Sequence, residues 1–218
     1  MGLTSAEADM EESWSEFSPP VNGARDPVDS GPLALDALLR GAGPIEIDIG
    51  FGRGRSLVER AQIVPGVRLL GIEQKRSLAA KVSERCARLG LTNVHVMAGD
   101  VREILPRLSP DGSVQRVFVH FPDPWWKKRH QKRRVVERGL LDQVARLLVP
   151  GGELFIQTDV HDRAMDYVQL IAGHPAFGVA GERGFVSDNP FGARSNREVC
   201  APTRTDSPSG ASWARKKV

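Results

Sequence analysis

The middle of the chain alternates short apolar runs with segments in which apolar residues recur every three or four positions. The first kind of pattern predicts buried β-strands, and the second predicts amphipathic α-helices. Strands that alternate with helices favour parallel pairing through right-handed crossovers, so we predict an α/β fold, a three-layer sandwich around a mostly parallel, twisted sheet. The predicted strands are Ile45–Ile49, Val67–Glu73, Asn93–Met97, Val114–Phe121 and Leu154–Thr158. The predicted helices are Ser56–Val64, Ser77–Leu89, Val135–Leu148 and Arg163–Ile171.

The two ends of the chain lack this pattern. Residues 1–43 are rich in Glu, Ser, Pro and Gly, and the first thirty residues hold seven acidic side chains against Arg25 alone. We predict an acidic, largely disordered arm there, in which Leu33–Leu39 forms one or two helical turns against the domain. The domain itself is expected at 44–200. Residues 201–218 contain few apolar side chains, so an irregular, coil-like tail is expected to follow.

Composition narrows the class of protein. The 218 residues are 40% hydrophobic and 26% charged, which is typical of a globular protein with a real core. The two cysteines have no paired spacing, and no apolar run approaches the roughly 18–20 residues that a membrane span needs. With no signal-peptide pattern, we expect a soluble cytoplasmic protein. The net charge is only +3, but the acidic arm hides a more basic remainder, which is the sign expected of a nucleic-acid binder.

A dense cationic run lies directly after the fourth predicted strand, in the stretch Phe121–Arg134. Its sequence is Phe-Pro-Asp-Pro-Trp-Trp-Lys-Lys-Arg-His-Gln-Lys-Arg-Arg, so six cations follow Asp123 with no acid among them. A solvated basic helix start is the ordinary interpretation of such a run. Here the run stands at the carboxyl end of a strand, where open α/β sheets bind their ligands, and cations in that place attract polyphosphate. The stretch therefore suggests chemistry performed on a nucleic acid.

A glycine-rich loop, Gly50–Gly54, joins the first predicted strand to the first helix. Glycines there allow a tight turn and a close approach of the backbone to a ligand. Glu73 ends the next strand about 20 residues further on, where an acid usually contacts ribose hydroxyls. Two cofactors fit this arrangement, a dinucleotide or S-adenosylmethionine. The dinucleotide fingerprint requires a third glycine where this chain has Arg55.

Acidic residues recur at the ends of the predicted strands, at Asp48, Glu73, Asp100, Asp123 and Asp159. Such a ring of carboxylates suits a cationic sulfonium cofactor and would repel a pyrophosphate. A metal site is disfavoured, because the acids come from different loops and no histidine spacing supports them. The charge pattern favours S-adenosylmethionine.

The motifs together resemble those of the bacterial tRNA (guanine-N7)-methyltransferases. The resemblance covers about Ile45 to Asp159 and is most specific in the Pro-Asp-Pro-Trp sequence with its basic run. It implies a Rossmann-like class I methyltransferase fold, S-adenosylmethionine as methyl donor, and N7 of a guanosine in the tRNA variable loop as acceptor. The family usually has Glu where this chain has Asp48. The cofactor contacts that the resemblance implies are Asp48, Gly50, Gly52, Glu73, Asp100 and Asp123.

The resemblance also implies residues that contact the tRNA and its target guanosine. N7 of guanine carries an exposed lone pair at neutral pH, so no strong base is needed, and carboxylates near the ring would stabilise the cationic product. We predict Asp123 and Asp159, at the ends of neighbouring strands, as the catalytic carboxylates. The implied substrate contacts are Lys127, Asp159, Ser195 and Glu198, of which the last two only approximate a Thr-x-x-Glu motif. The implied tRNA-binding residues are Arg129, His130, Lys132, Arg133 and Arg134.

Two alternatives stay open at the level of sequence. One is a nicotinamide-dependent oxidoreductase, which Arg55 and the basic run disfavour. The other is a methyltransferase-fold protein that binds tRNA but has lost turnover, since relatives usually continue into a final apolar strand where this chain has a coil-like tail. The expected partner is tRNA, with neither a metal nor a membrane, and we expect a monomer with a homodimer as the alternative.

Overall fold

A computed structural model of the chain describes residues 31–122, 134–180, 185–186, 189–200 and 210–217. In these ranges an eight-stranded sheet carries helices on both faces, which confirms the predicted three-layer α/β fold. No helix in the same ranges is long and apolar enough to cross a membrane.

Every strand and helix predicted from the apolar pattern is present. The largest difference is at the fifth predicted strand, which begins at Leu148 rather than Leu154. The strands are β1 Leu33–Ala34, β2 Ile45–Ile49, β3 Arg68–Glu73, β4 Val94–Ala98, β5 Leu108–Ser109, β6 Val114–His120, β7 Leu148–Thr158, β8 Phe177–Val179, β9 Phe185–Val186 and β10 Gly210–Lys216. The helices are α1 Leu35–Leu38, α2 Arg55–Ile63, α3 Arg76–Arg88, α4 Val101–Ile104, α5 Arg138–Leu147, α6 His161–Ala172 and α7 Asn196–Cys200.

The order of the strands places the ligand-binding edge of the sheet. The order is β4-β3-β2-β6-β7-β10-β8, with β9 also paired to β10, and the strands from β4 to β7 are parallel. Strand β2 lies between β3, the next strand in the sequence, and β6, so the direction of winding reverses beside β2. Ligands of open α/β sheets bind at the carboxyl ends of the strands at such a switch point.

The C-terminal part of the sheet corrects one expectation. Residues 210–216 form β10, which pairs antiparallel with β7 on one side and with β8 on the other. The predicted irregular tail over 201–218 is therefore wrong for this stretch. The apolar signal is weak because small residues such as Ala214, which is fully buried, make the strand, and its order comes largely from backbone pairing. Residues 1–30 and 201–209 lie outside the described residues, so the disordered arm stays a prediction.

The two faces of the sheet have different partners. The isoleucines of β2 point to the larger apolar core, shared with α1, α4, α5 and α6. Helices α2 and α3 form a smaller core on the opposite face with β3 and β4. Over β6 and β7 that second face carries Glu153, Phe118 and Phe155, and Phe191 of the segment 189–199 packs on it. The segment thus covers sheet surface over β6 and β7, beside Arg60 of α2.

Candidate active site

A cavity of about 850 Å³ lies at the carboxyl ends of β2, β3 and β6. Its volume is within the roughly 300–1,000 Å³ of small-molecule sites in proteins. The glycine loop, Glu73 and Asp100 line one side, and His120 and Phe121 line the end of β6. The segment Ser195–Arg197 forms a further wall. The structure therefore brings several of the predicted site residues to one space, which we call the central cavity.

The glycine loop has the backbone that a close ligand contact requires. Gly50 and Gly52 have φ angles of 69° and 58°, in the left-handed region that favours glycine. A Cβ added at either residue would meet no protein atom, so both leave open space where they line the cavity. Gly54 has a different role, because an added Cβ would lie 2.6 Å from the side chain of Val82 and push the α2 start away from α3.

The side chain of Glu73 joins the end of β3 to the glycine loop. It is 8% exposed, and its Oε2 accepts a hydrogen bond of 2.9 Å from the backbone N–H of Gly52. Its Oε1 accepts one of 2.9 Å from the N–H of Lys75. Each carboxylate oxygen has two lone pairs, so both retain acceptor capacity toward the cavity. A fixed carboxylate of this kind suits the ribose hydroxyls of a nucleoside.

The side chain of Asp100 begins helix α4 at the edge of the central cavity. Its Oδ1 accepts from the backbone N–H of Arg102 at 2.9 Å, which makes Asp100 the N-cap of the helix. The Arg102 guanidinium also pairs with the carboxylate at 2.5 Å. The hydrogen bond from that guanidinium lowers the pKa of Asp100, so its carboxylate stays ionised.

The side chain of Asp48 lies behind the central cavity rather than on its surface. It borders a second, small cavity of about 10 Å³, room for about one water molecule, and Ser56 and His120 line both spaces. Ser56 Oγ donates to Oδ2 of Asp48 at 3.1 Å, whereas Oδ1 has no hydrogen-bond partner among the described residues. Burial raises the pKa of Asp48. Its predicted contact with the cofactor stays a prediction, and the short side chain explains why it stops beneath the loop.

A salt bridge involves Arg197, a residue of the Ser195–Arg197 wall of the central cavity. Arg197 pairs with Asp159 at 2.7 Å, and its guanidinium lies 5.6 Å from the ring centroid of Phe121. Phe121 has φ 48°, a left-handed conformation that is rare for a large side chain and is found preferentially at functional sites. Asp159 follows β7 and Phe121 follows β6, and these two strands are neighbours as predicted, while Asp123 lies outside the described residues.

Ser195 and Glu198 hold each other at the start of α7. The N–H of Ser195 donates to Oε2 of Glu198 at 2.6 Å, and the N–H of Glu198 donates to Oγ of Ser195 at 3.2 Å. This reciprocal pair is a capping box, which satisfies backbone donors at a helix start. Ser195 lines the central cavity, but Glu198 does not. The pair thus shapes the wall, and its predicted contact with the substrate stays a prediction.

Most of the residues predicted to contact tRNA or its target guanosine lie outside the described residues. This holds for Asp123, Lys127, Arg129, His130, Lys132 and Arg133. Arg134 is described and half-buried. In the part of the chain that the structure describes, no group of three or more His, Cys, Asp or Glu side chains could hold a metal ion.

Several cavity residues were not singled out by the sequence motifs. Arg53 and Lys75 are exposed cations at the rim, and Arg197 is a third. His120 lines the end of β6, where its Nδ1 lies 3.1 Å from Oε1 of Gln157. Both His120 and Arg197 are next to residues of the motifs, at Phe121 and within the Ser195–Glu198 stretch, and that proximity was the available signal.

Comparison with known proteins agrees with this geometry. The family model described as "Putative methyltransferase" (Methyltransf_4) matches residues 42–199. The chain is 38% identical over 164 residues to a tRNA (guanine-N(7)-)-methyltransferase of Nostoc sp., covering 74% of this chain and 75% of that protein. A protein of the same description from Trichormus variabilis is 37% identical over 164 residues, covering 74% and 76%.

Among solved structures, the 16S rRNA methyltransferase KamB has a similar fold. Its TM-score is 0.62 at 16% sequence identity, and the match covers 84% of this chain and 92% of that one. At this identity the likeness concerns the fold alone. It agrees with the predicted Rossmann-like methyltransferase architecture, and these matches give no support to the nicotinamide alternative.

Proposed function

Because the chain belongs to the tRNA (guanine-N(7)-)-methyltransferase family, we propose that it transfers a methyl group from S-adenosylmethionine to N7 of a guanosine in tRNA. The observation that carries this proposal is the central cavity, which the hydrogen-bonded Gly52 and Glu73 line together with exposed arginine and lysine side chains. The cavity thus combines acceptors suited to a nucleoside with cations suited to phosphate. We further propose that the target guanosine lies in the variable loop.

The residues present fit S-adenosylmethionine, which supplies an electrophilic methyl group on a sulfonium. Gly50 and Gly52 leave the space that the bound molecule needs, and Glu73 has acceptors for its ribose hydroxyls. Asp100 adds a second ionised carboxylate to the same side. Asp48 lies behind Ser56, so it acts on the site through its hydrogen bond with Ser56, which lines the cavity.

The chemistry asks for orientation rather than for a base. The N7 lone pair of guanine is available at neutral pH, and the ring becomes cationic when the methyl group is transferred. A carboxylate fixed beside the ring stabilises that charge. Asp159 is the first candidate for this role, because it pairs with Arg197, which lines the cavity, and Asp123 is the second candidate. Guanine also offers N1 and N2 donors, which a carboxylate accepts.

The cationic stretch that ends at Arg134 is the proposed binding strip for tRNA phosphates. It follows β6 in the sequence, and β6 ends at the edge of the sheet where the central cavity lies. We propose a cytoplasmic enzyme that acts as a monomer. Sedimentation of the free protein and of its tRNA complex tests that stoichiometry.

Methyl transfer to unfractionated tRNA tests the proposed function. The protein is incubated with tRNA and S-adenosylmethionine that carries a labelled methyl group, and the tRNA is digested to nucleosides. The proposal expects the label in 7-methylguanosine. Binding of tRNA without any transfer would instead favour a protein that keeps the fold and has lost turnover.

A further inference from the structure

The segment 189–199 connects a half-buried anchor to the wall of the central cavity. Phe191 lies near its start, and Ser195 and Arg197 line the cavity. We propose that Arg60 and Arg116 are positioning residues, which grip Phe191 and thereby hold the Ser195–Arg197 wall in place for tRNA. The inference rests on the proposed function for its substrate, and on the contacts below for its anchor.

Phe191 is held on several sides. The guanidinium carbon of Arg116 lies 4.5 Å from the centroid of its ring, and that of Arg60 lies 6.0 Å away. Nη1 of Arg60 also donates to the backbone carbonyl of Phe191 at 2.8 Å. The rings of Phe118 and Phe155 meet it edge-on, each with centroids 5.2 Å apart. Guanidinium groups over an aromatic face attract its π electrons, and the attraction is stronger away from water.

Paired carboxylates fix the two arginines in this position. Glu46 on β2, Arg116 on β6 and Glu153 on β7 are partners in the register of neighbouring strands, so their charges alternate across the sheet. Glu46 is 1% exposed and accepts from Arg60 through both carboxylate oxygens, at 2.7 and 2.8 Å. Arg116 donates to Glu46 at 2.5 Å and to Glu153 at 2.5 and 2.8 Å.

The paired carboxylates fix the orientation of the guanidinium planes. A guanidinium forms its hydrogen bonds in its own plane and leaves its flat face for an aromatic ring. Arg116 forms three in-plane hydrogen bonds with the two glutamates, and its face meets Phe191. A lysine could keep the charge but has no such face.

Helix α2 contacts the segment between Phe191 and the Ser195–Arg197 wall at two points. Its Ile63 lies under Gly192, where an added Cβ would come within 3.2 Å of Cδ1. Its Glu59 accepts from the N–H of Arg194 at 2.8 Å, directly before Ser195. The same helix begins at the glycine loop, so one rigid element touches both the proposed cofactor loop and the proposed substrate wall.

The test compares three single variants by steady-state kinetics with tRNA. Phe191→Ala removes the ring, and Arg116→Lys keeps the charge but removes the flat face. We expect each to raise KM for tRNA about tenfold, with kcat and the affinity for S-adenosylmethionine little changed. The double variant should be no worse than the worse single one, since both remove one contact. Arg215→Ala is the control, because Arg215 pairs with Glu153 at 3.3 Å at the exposed end of the same charge row and should keep the wild-type KM.

A second measurement tests the anchor without tRNA. Hydrogen exchange of the amides from Ser195 to Val199 should be about tenfold faster in Phe191→Ala, with unchanged exchange in β2 and β3. A wild-type KM in both variants, or unchanged exchange of this segment, would overturn the inference. A fall in cofactor affinity that matches the rise in KM would also overturn it. If the wild-type protein forms no 7-methylguanosine, the proposed function and the substrate part of this inference are wrong, while the exchange result still decides the anchor.

Discussion

The backbone N–H of Gly52 donates a hydrogen bond of 2.9 Å to Oε2 of Glu73, which lies 21 residues further along the chain. The bond ties the turn after β2 to the end of β3. The carboxylate thereby has one orientation in the central cavity. The first prediction concerns this group.

Replacing Glu73 by Ala should weaken binding of S-adenosylmethionine and leave the fold intact. The loss of a charged acceptor for ribose hydroxyls should cost on the order of 1–3 kcal/mol, or roughly 5- to 150-fold in Kd. Calorimetry measures the affinity. Glu103→Ala is the control, because Glu103 is exposed on α4 and does not line the cavity. An unchanged Kd in Glu73→Ala would remove this residue from the site.

The cationic strip should carry much of the salt dependence of tRNA binding. Replacing Arg129, Lys132, Arg133 and Arg134 together by Ala should weaken binding, and each lost phosphate contact should reduce the log–log salt slope by about 0.7–0.9. Filter binding over a range of salt concentrations measures both. A matched control replaces four exposed cations that do not line the cavity, namely Arg40, Lys81, Arg88 and Lys217. Equal slopes for the strip variant and the wild type would make the strip an ordinary solvated surface.

Asp48 should lower the stability of the free protein at neutral pH. Burial raises its pKa, so the folded state favours the protonated carboxyl; the stability it contributes is fully present below the unfolded pKa of 3.8 and is lost as the pH rises through the folded value. Asp48→Asn should therefore raise the free energy of unfolding at neutral pH by about 1–3 kcal/mol. The gain should shrink toward acid pH in denaturant titrations. Asp162→Asn, an exposed control, should show no such trend, and a gain that is the same at all pH values would contradict this cause.

Removing residues 210–218 should unfold the protein or nearly so. Strand β10 lies between β7 and β8, and Nζ of Lys216 donates to the carbonyl of Leu148 at 2.7 Å. Its loss would expose backbone donors and acceptors along β7, and it should remove a large part of the roughly 5–15 kcal/mol by which such domains are stable. Thermal unfolding measures the change. Lys217→Ala should unfold near the wild-type temperature, and a truncated protein that does the same would show that β10 contributes little.

The apolar pattern was sufficient for the parallel part of the sheet. Strand β3 is buried from Leu69 to Glu73, and its apolar run Leu69–Ile72 predicts it directly. The pattern failed at β10, whose small residues are ordered mainly by pairing with β7 and β8. Strand identity there depends on partners that are distant in the sequence, and no local pattern encodes them.

In the candidate site, too, local sequence predicts some features and not others. Glu73 could be predicted because its spacing from the glycine loop is a local property of a strand–helix–strand unit. The contacts of the two arginines with Phe191 could not be predicted, because Glu46, Arg116 and Glu153 meet only through the register of three strands. One signal was present in the sequence, since Glu46 lies inside a strand predicted to be buried, and a buried charge requires a partner.

The position of the product in tRNA tests the central claim most directly. A tRNA that lacks modifications is incubated with the protein and S-adenosylmethionine, and the chain is then cleaved chemically at 7-methylguanosine and sequenced. We expect cleavage at a single guanosine in the variable loop. This cleavage should be lost or strongly reduced with Glu73→Ala. A methyl group on another atom or nucleoside, or 7-methylguanosine scattered over many positions, would contradict it.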